Sequence, residues 1–285
     1  MKQHLTLPLT ALSCGLLGFA LRLAQNKTGF EAASGLPVSG NLWGTLLLGL
    51  LAVSLVLVIL LTHSLPAGAP RDPEQFAPAF STQHSLPLNF LVSGFFLVIL
   101  SGLLEIAAGA GLLPALREYD SAFQMALVSG SASRKLYLIL GVTSAVSGAC
   151  LLSAAPACRR SGSREANTPS RSVSGNLLLI PPVFLVIRLV VTYRQVSVIP
   201  SLMSYYVEIL TLSALTLAFY RLSSFAFQSG HTRRFARYAV AAVILCITLL
   251  ADQTSVCSIL LYLGFALTLL AFLLLRLKNA ANTQA

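Results

Sequence analysis

Four ionisable side chains stand in or beside long apolar runs of this chain: Glu105, Arg188, Glu208 and Asp252. A charge at the middle of a lipid bilayer costs about 3 kcal/mol on insertion scales, so such residues face their own bundle and find partners. An arginine fork can bind one carboxylate through two parallel bonds and still donate to another group. Two carboxylates and one guanidinium therefore admit three chemistries. They can pin helices in register, hold a solute or ion, or serve as an acid–base pair, and the sequence leaves these open. Asp252 is set apart, because it falls in a short turn between two apolar runs where exposure is expected.

Depth links the other three. At a rise of about 1.5 Å per residue, Glu105 lies about 12 Å below the end of its run near residue 113, and Arg188 about 12 Å below the end near 196. Glu208 lies about 10–11 Å into a run that starts near 201 and travels the opposite way. The runs holding Arg188 and Glu208 are joined by only a few residues and should be antiparallel neighbours. Around Glu105, Ser101 and Gly109 at four-residue spacing make a small-residue stripe suited to close helix contact. The expectation is that Arg188 is neutralised by Glu208 first and Glu105 second. Pro181 and Pro182 remove backbone donors deeper in the same run, so the helix either starts near Pro181 or is kinked there.

Other reactive groups show no constellation. His4, His63, His84 and His231 have no HxxxH or HExxH spacing, and no metal site is expected. The five cysteines, Cys14, Cys150, Cys158, Cys246 and Cys257, contain no CxxC pair and read as small apolar packing residues without an essential disulfide. No phosphate-binding loop, nucleophile elbow or dinucleotide fingerprint occurs, so no cofactor is expected and the balance leans against an enzyme. The glycine-rich stretches "EIAAGAGLL" and "GVTSAVSGA" read as close-packing faces. Asn26-Lys27-Thr28 matches a glycosylation acceptor, which matters only in a eukaryotic secretory lumen.

The elements that must position these residues follow from composition. Of 285 residues, 56% are hydrophobic and 10% charged, with a mean hydropathy of +0.80. Soluble domains carry about 25% charged residues. The composition points to an all-α polytopic integral membrane bundle with no soluble domain, residues 1–285 forming one transmembrane domain. A helix crossing about 30 Å of hydrocarbon needs about 20 apolar residues. Eight candidate spans follow: 5–21, 42–62, 88–112, 135–155, 176–196, 201–221, 235–251 and 254–275. The seventh is the weakest, since Arg237 must snorkel towards headgroups. The first has the charged start and apolar middle of a signal peptide but no convincing cleavage site, and its retention is expected.

The formal charge of +10 sits in short basic segments such as "CRRSGSREANTPSRS" and "HTRRFARY". Such segments orient spans and attract anionic lipid headgroups, and nothing resembles a nucleic-acid-binding motif. With eight spans, Arg22, Lys27, Arg117, Arg134, Lys135 and Arg194 fall on one side, and twice as many basic residues fall with the termini. That bias places both termini in the cytoplasm. Proline density disfavours a regular helix between the second and third spans, where "PEQFAPAF" could still lie flat at the headgroups through Phe76 and Phe80.

At "GFALRLAQNKTGFEAASGLPVSGN" and "SVIPSLMSYYVEILTLSALTLAFYRLSSFAF" the chain resembles a group of uncharacterised multi-span membrane proteins of Firmicutes, chiefly clostridial gut bacteria. Gln195 stands after the "YR" at the end of the fifth span, where that group often has an acidic residue. The resemblance implies a bacterial cytoplasmic membrane and no particular chemistry. The expected role is a small-molecule or ion permease, or a non-catalytic subunit of a cell-envelope complex. The alternative is a lipid-active membrane enzyme using Glu105 or Glu208.

Overall fold

The computed structural model describes residues 3–30, 38, 40–63, 65, 76–82, 84–113, 131–159, 175–196, 205–252 and 255–282. Their helices are α1 (Gln3–Thr28), α2 (Leu42–His63), the short α3 (Phe76–Phe80), α4 (Ser85–Ala110) and α5 (Ser131–Leu152). Two short turns, α6 (Ala155–Cys158) and α7 (Gly175–Leu178), precede α8 (Ile180–Val196). The chain continues through α9 (Tyr206–Ala226), α10 (Thr232–Leu249) and α11 (Val256–Asn282). Among the described residues there is no strand; at an isolated backbone bridge between Thr82 and Arg159 the Thr82 amide donates to the Cys158 carbonyl at 2.8 Å.

Seven of these helical segments are long and apolar enough to cross a membrane. The eighth long helix is α10, the weakest of the expected spans. It carries Arg233, Arg234 and Arg237 in its first two turns and is too charged there to qualify on composition. Its apolar side is buried through Phe235, Ala239, Val243 and Cys246.

Neighbouring contacts close a circuit of six helices: α4 against α5, α5 against α8, α8 against α9, α9 against α10, α10 against α11, and α11 back against α4. Burial identifies α11 as the centre, with 67% of its most apolar window covered, whereas α2 has only 17% and lies at the periphery. Helix α11 fills the interior with rings, Phe265 lying 5.0 Å from Phe219 and 6.3 Å from Phe184 between centroids. Helices α1 and α2 pack outside this circuit against α10.

Helix α4 packs closely on α5 through both glycine-rich stretches and through Gly102 one turn earlier. A Cβ on Gly109 would come within 3.0 Å of the Leu138 side chain, one on Gly141 within 2.7 Å of the Ile106 nitrogen, and one on Gly102 within 2.5 Å of the Ala145 amide nitrogen. Removing the side chain lets the backbones touch, the usual means of helix association in lipid. Helix α4 then stops at Gly111, whose φ of 85° a side chain would resist. There the Gly111 and Leu112 amides donate to the Ala108 and Ala107 carbonyls, a Schellman ending. That stop places Glu105 in the last turns of α4.

Two expectations are corrected here. Phe76 and Phe80 do not lie at a headgroup surface. Both are buried, and Phe80 packs edge-on against Phe225, Phe235 and Phe272 at centroid distances of 5.1, 5.9 and 5.1 Å. Helix α3 is thus a wedge plugging the bundle at the end that holds α10's arginines, because two adjacent apolar rings gain more from a dry site than from a wet one. Helix α1 also runs past residue 21 to Thr28, so Arg22 lies within it and is not a loop residue. Pro181 and Pro182 occupy the first turn of α8, where proline is tolerated, and Leu179 separates it from α7. The expected first turn of α9 from 201 to 204 lies outside the described residues.

Candidate functional site

The polar groups gather near one end of the bundle, opposite the α3 plug. Each is fixed by a different element: Glu105 by the end of α4, Arg188 by the middle of α8, Glu208 by the first turn of α9, and Ser258 and Tyr262 by the start of α11. Ser255 caps α11, its hydroxyl accepting the Ser258 amide at 3.3 Å, which sets the register of the Ser258 and Tyr262 side chains. The Ser101 hydroxyl donates to the Cys257 carbonyl at 2.7 Å and locks α4 to α11 one turn from Glu105.

Arg188 is 6% exposed and Glu105 is 3% exposed. The Arg188 Nη1 donates to Glu105 Oε1 at 2.7 Å, and Nη2 donates to the Ser258 hydroxyl at 3.1 Å. Glu208 does not receive the arginine. Its Oε1 accepts the Tyr262 hydroxyl at 2.8 Å, and the Arg188 guanidinium stands 6.0 Å from the centre of that tyrosine ring. The structure therefore brings the three expected residues into one group but reverses the expected order. Glu105 is the direct partner, and Glu208 joins through Tyr262. The reason is geometric: α11 stands at the centre, so Tyr262 meets the α9 carboxylate while Arg188 points to α4.

One carboxylate oxygen is left over. Glu105 Oε2 is buried and has no hydrogen-bond partner among the described residues. A buried acceptor without a donor costs about 1–3 kcal/mol, more when charged.

A second ion pair, missed by the sequence reading, lies at the same end. Arg22 is 1% exposed, and its Nε and Nη2 donate to the two oxygens of Asp252 at 2.6 and 3.2 Å. Nη1 adds the Gln25 side chain at 3.0 Å, and the guanidinium stands 5.3 Å from the centre of the Tyr206 ring. Asp252 is therefore not simply exposed in its turn. Its side chain is 15% exposed and clamps that turn to α1. The signal was available: three polar residues, Arg22, Gln25 and Asn26, recur at helical spacing just beyond the first apolar run. The Asn26 amide is spent on the same clamp, donating to Asp252 at 2.9 Å and to the Ala251 carbonyl at 3.1 Å.

Among the described residues no group of three His, Cys, Asp or Glu side chains is placed to hold a metal ion, and none of the five cysteines is in a disulfide. Seven membrane-length helices packed around a buried ion pair define a multi-pass integral membrane protein. No family model, curated protein or solved structure matches the chain.

Proposed function

We propose that the protein is a small-molecule or ion permease of a bacterial cytoplasmic membrane, with Glu105, Arg188 and Glu208 as its intramembrane binding group. The observation that carries this reading is the half-used carboxylate of Glu105. One oxygen takes the arginine, and the other is buried with nothing described to donate to it. A group that served only to pin helices would be expected to satisfy both oxygens, as Asp252 does with Arg22. Burial of Glu105 weighs against its use on lipid headgroups, which need a carboxylate open to the bilayer surface.

In this reading both termini face the cytoplasm, the ion-paired end opens to the outer side, and the basic end meets anionic headgroups. The test is solute-evoked current in proteoliposomes over a panel of small cations, amino acids and organic acids. Wild type should respond to at least one member, and Glu105→Gln should lose that response at unchanged folded yield. Silence across the panel would retire the permease and leave the subunit reading in its place.

A further inference from the structure

Five arginines gather towards the basic end on α9, α10 and α11, and three of them spend their Nε on the protein itself. Arg233 donates to the Leu65 carbonyl at 2.6 Å, Arg237 to the Thr62 hydroxyl at 2.9 Å, and Arg276 to the Thr232 hydroxyl at 2.7 Å. Arg221 differs. Its Nε is buried and has no acceptor among the described residues. The side chain is instead flanked by two rings, with the Tyr220 centroid at 5.6 Å and the Tyr238 centroid at 6.0 Å. A guanidinium carries five donors and no acceptor, so an anionic oxygen from outside the chain would complete it.

The surroundings say where it comes from. Arg221 lies five residues before the end of α9, a depth of about 7–8 Å that a long side chain bridges to the headgroups. Tyr220 is 52% exposed and Leu217 43% exposed, so this side of α9 faces lipid rather than another helix of the bundle. Arg234 is exposed and stands four residues before Tyr238, on the same face of α10. Arg221, Tyr220 and Tyr238 thus meet at the seam where α9 packs on α10, with Arg234 one turn from Tyr238 and Leu217 one turn from Arg221 towards the bilayer centre. Tyrosine is enriched at that level because its ring is amphipathic. Among anions, a phospholipid has both the charge for the arginines and acyl chains for the apolar side.

We propose that the α9–α10 seam at Arg221 is a binding site for one anionic phospholipid headgroup, its phosphate oxygens taking the guanidinium between Tyr220 and Tyr238. The proposal rests on the assignment of the basic end to an anionic lipid surface, and it names the site and the lipid class. A bidentate guanidinium–phosphate pair held between rings is a specific contact, unlike diffuse attraction to basic loops.

The test reconstitutes the full chain in phosphatidylcholine nanodiscs containing increasing phosphatidylglycerol and follows the thermal unfolding midpoint. In wild type, phosphatidylglycerol should raise the midpoint by about 2–4 °C, the response of a single occupied site. Arg221→Gln should lose most of that rise, while Lys278→Gln, an equal charge change at the same end, should keep it. Each rise is measured within one variant, so a change in basal stability does not affect the comparison. An undiminished rise in Arg221→Gln would overturn the site and leave only general headgroup attraction. The absence of any rise in wild type would overturn both. Native mass spectrometry of wild type gives a second reading: after delipidation one phosphatidylglycerol should be retained in preference to phosphatidylcholine, and equal retention would also overturn the site.

Discussion

At the scale of single residues, the partners of Arg188 decide what each substitution should do. Removing one member of a buried ion pair strands the other charge, at a typical cost of about 3–5 kcal/mol. Arg188→Leu and Glu105→Leu should each lower the stability of the detergent-solubilised protein by that order, and the double replacement should recover part of the loss. A strictly additive cycle, read from unfolding midpoints, would mean the two residues do not meet. Glu208→Leu should cost less, about 1.5–3 kcal/mol, because it loses a charged hydrogen bond from Tyr262 without stranding the arginine. Equal damage from Glu105→Leu and Glu208→Leu would contradict the geometry. The sequence revealed the three charges and their common depth, since both depend only on rise per residue. It could not reveal their order, because that depends on Tyr262 and Ser258 reaching in from α11, whose charges, Arg276 and Lys278, lie at its other end. Arg22 and Asp252 were misread for a related reason. Each stands just outside an apolar run, where a span count assigns a loop, although the backbone of α1 stays helical to Thr28.

At the scale of elements, glycine contacts and the aromatic plug carry the packing. Gly102→Leu would force a side chain into the Ala145 backbone and should separate α4 from α5. Overpacking of this kind costs about 1–3 kcal/mol or more, whereas Gly49, which has nothing within 4 Å of a Cβ, should accept leucine with little change. Folded yield by size-exclusion chromatography separates the two; comparable losses would argue against the close α4–α5 contact. Phe80→Ala removes a fully buried ring that meets four others and should cost about 3–5 kcal/mol in thermal stability. A negligible effect would restore Phe80 to a surface. The close-packing role of "EIAAGAGLL" and "GVTSAVSGA" was legible because small residues at helical spacing have few other uses in lipid. The burial of α3 was not, because "FAPAF" is as apolar as an interfacial segment, and only the neighbouring Phe225, Phe235 and Phe272 make the interior the better place. The prolines of α8 were legible as a choice between a start and a kink, and the local chain resolves it as a start.

At the scale of the whole molecule, the all-α membrane architecture could be read from composition alone, since long uncharged runs leave few alternatives. The character of α10 could not, because its arginines exclude it by composition while its apolar side is buried among α1, α9 and α11. None of the five cysteines is in a disulfide, so replacing all of them by alanine should leave the folded yield largely intact, which supplies a background for topology. The central claim is that α10 crosses the bilayer with the other seven, leaving both termini inside and the ion pairs towards the outer side. The most direct measurement places single cysteines at Thr28, Gln228 and Ala281, all exposed, and treats intact cells with an impermeant thiol reagent. The account expects Thr28→Cys to react, and Gln228→Cys and Ala281→Cys to be shielded until the membrane is opened. Opposite behaviour of Gln228→Cys and Ala281→Cys would contradict it, because only α10 and α11 lie between them and one of the two would then fail to cross.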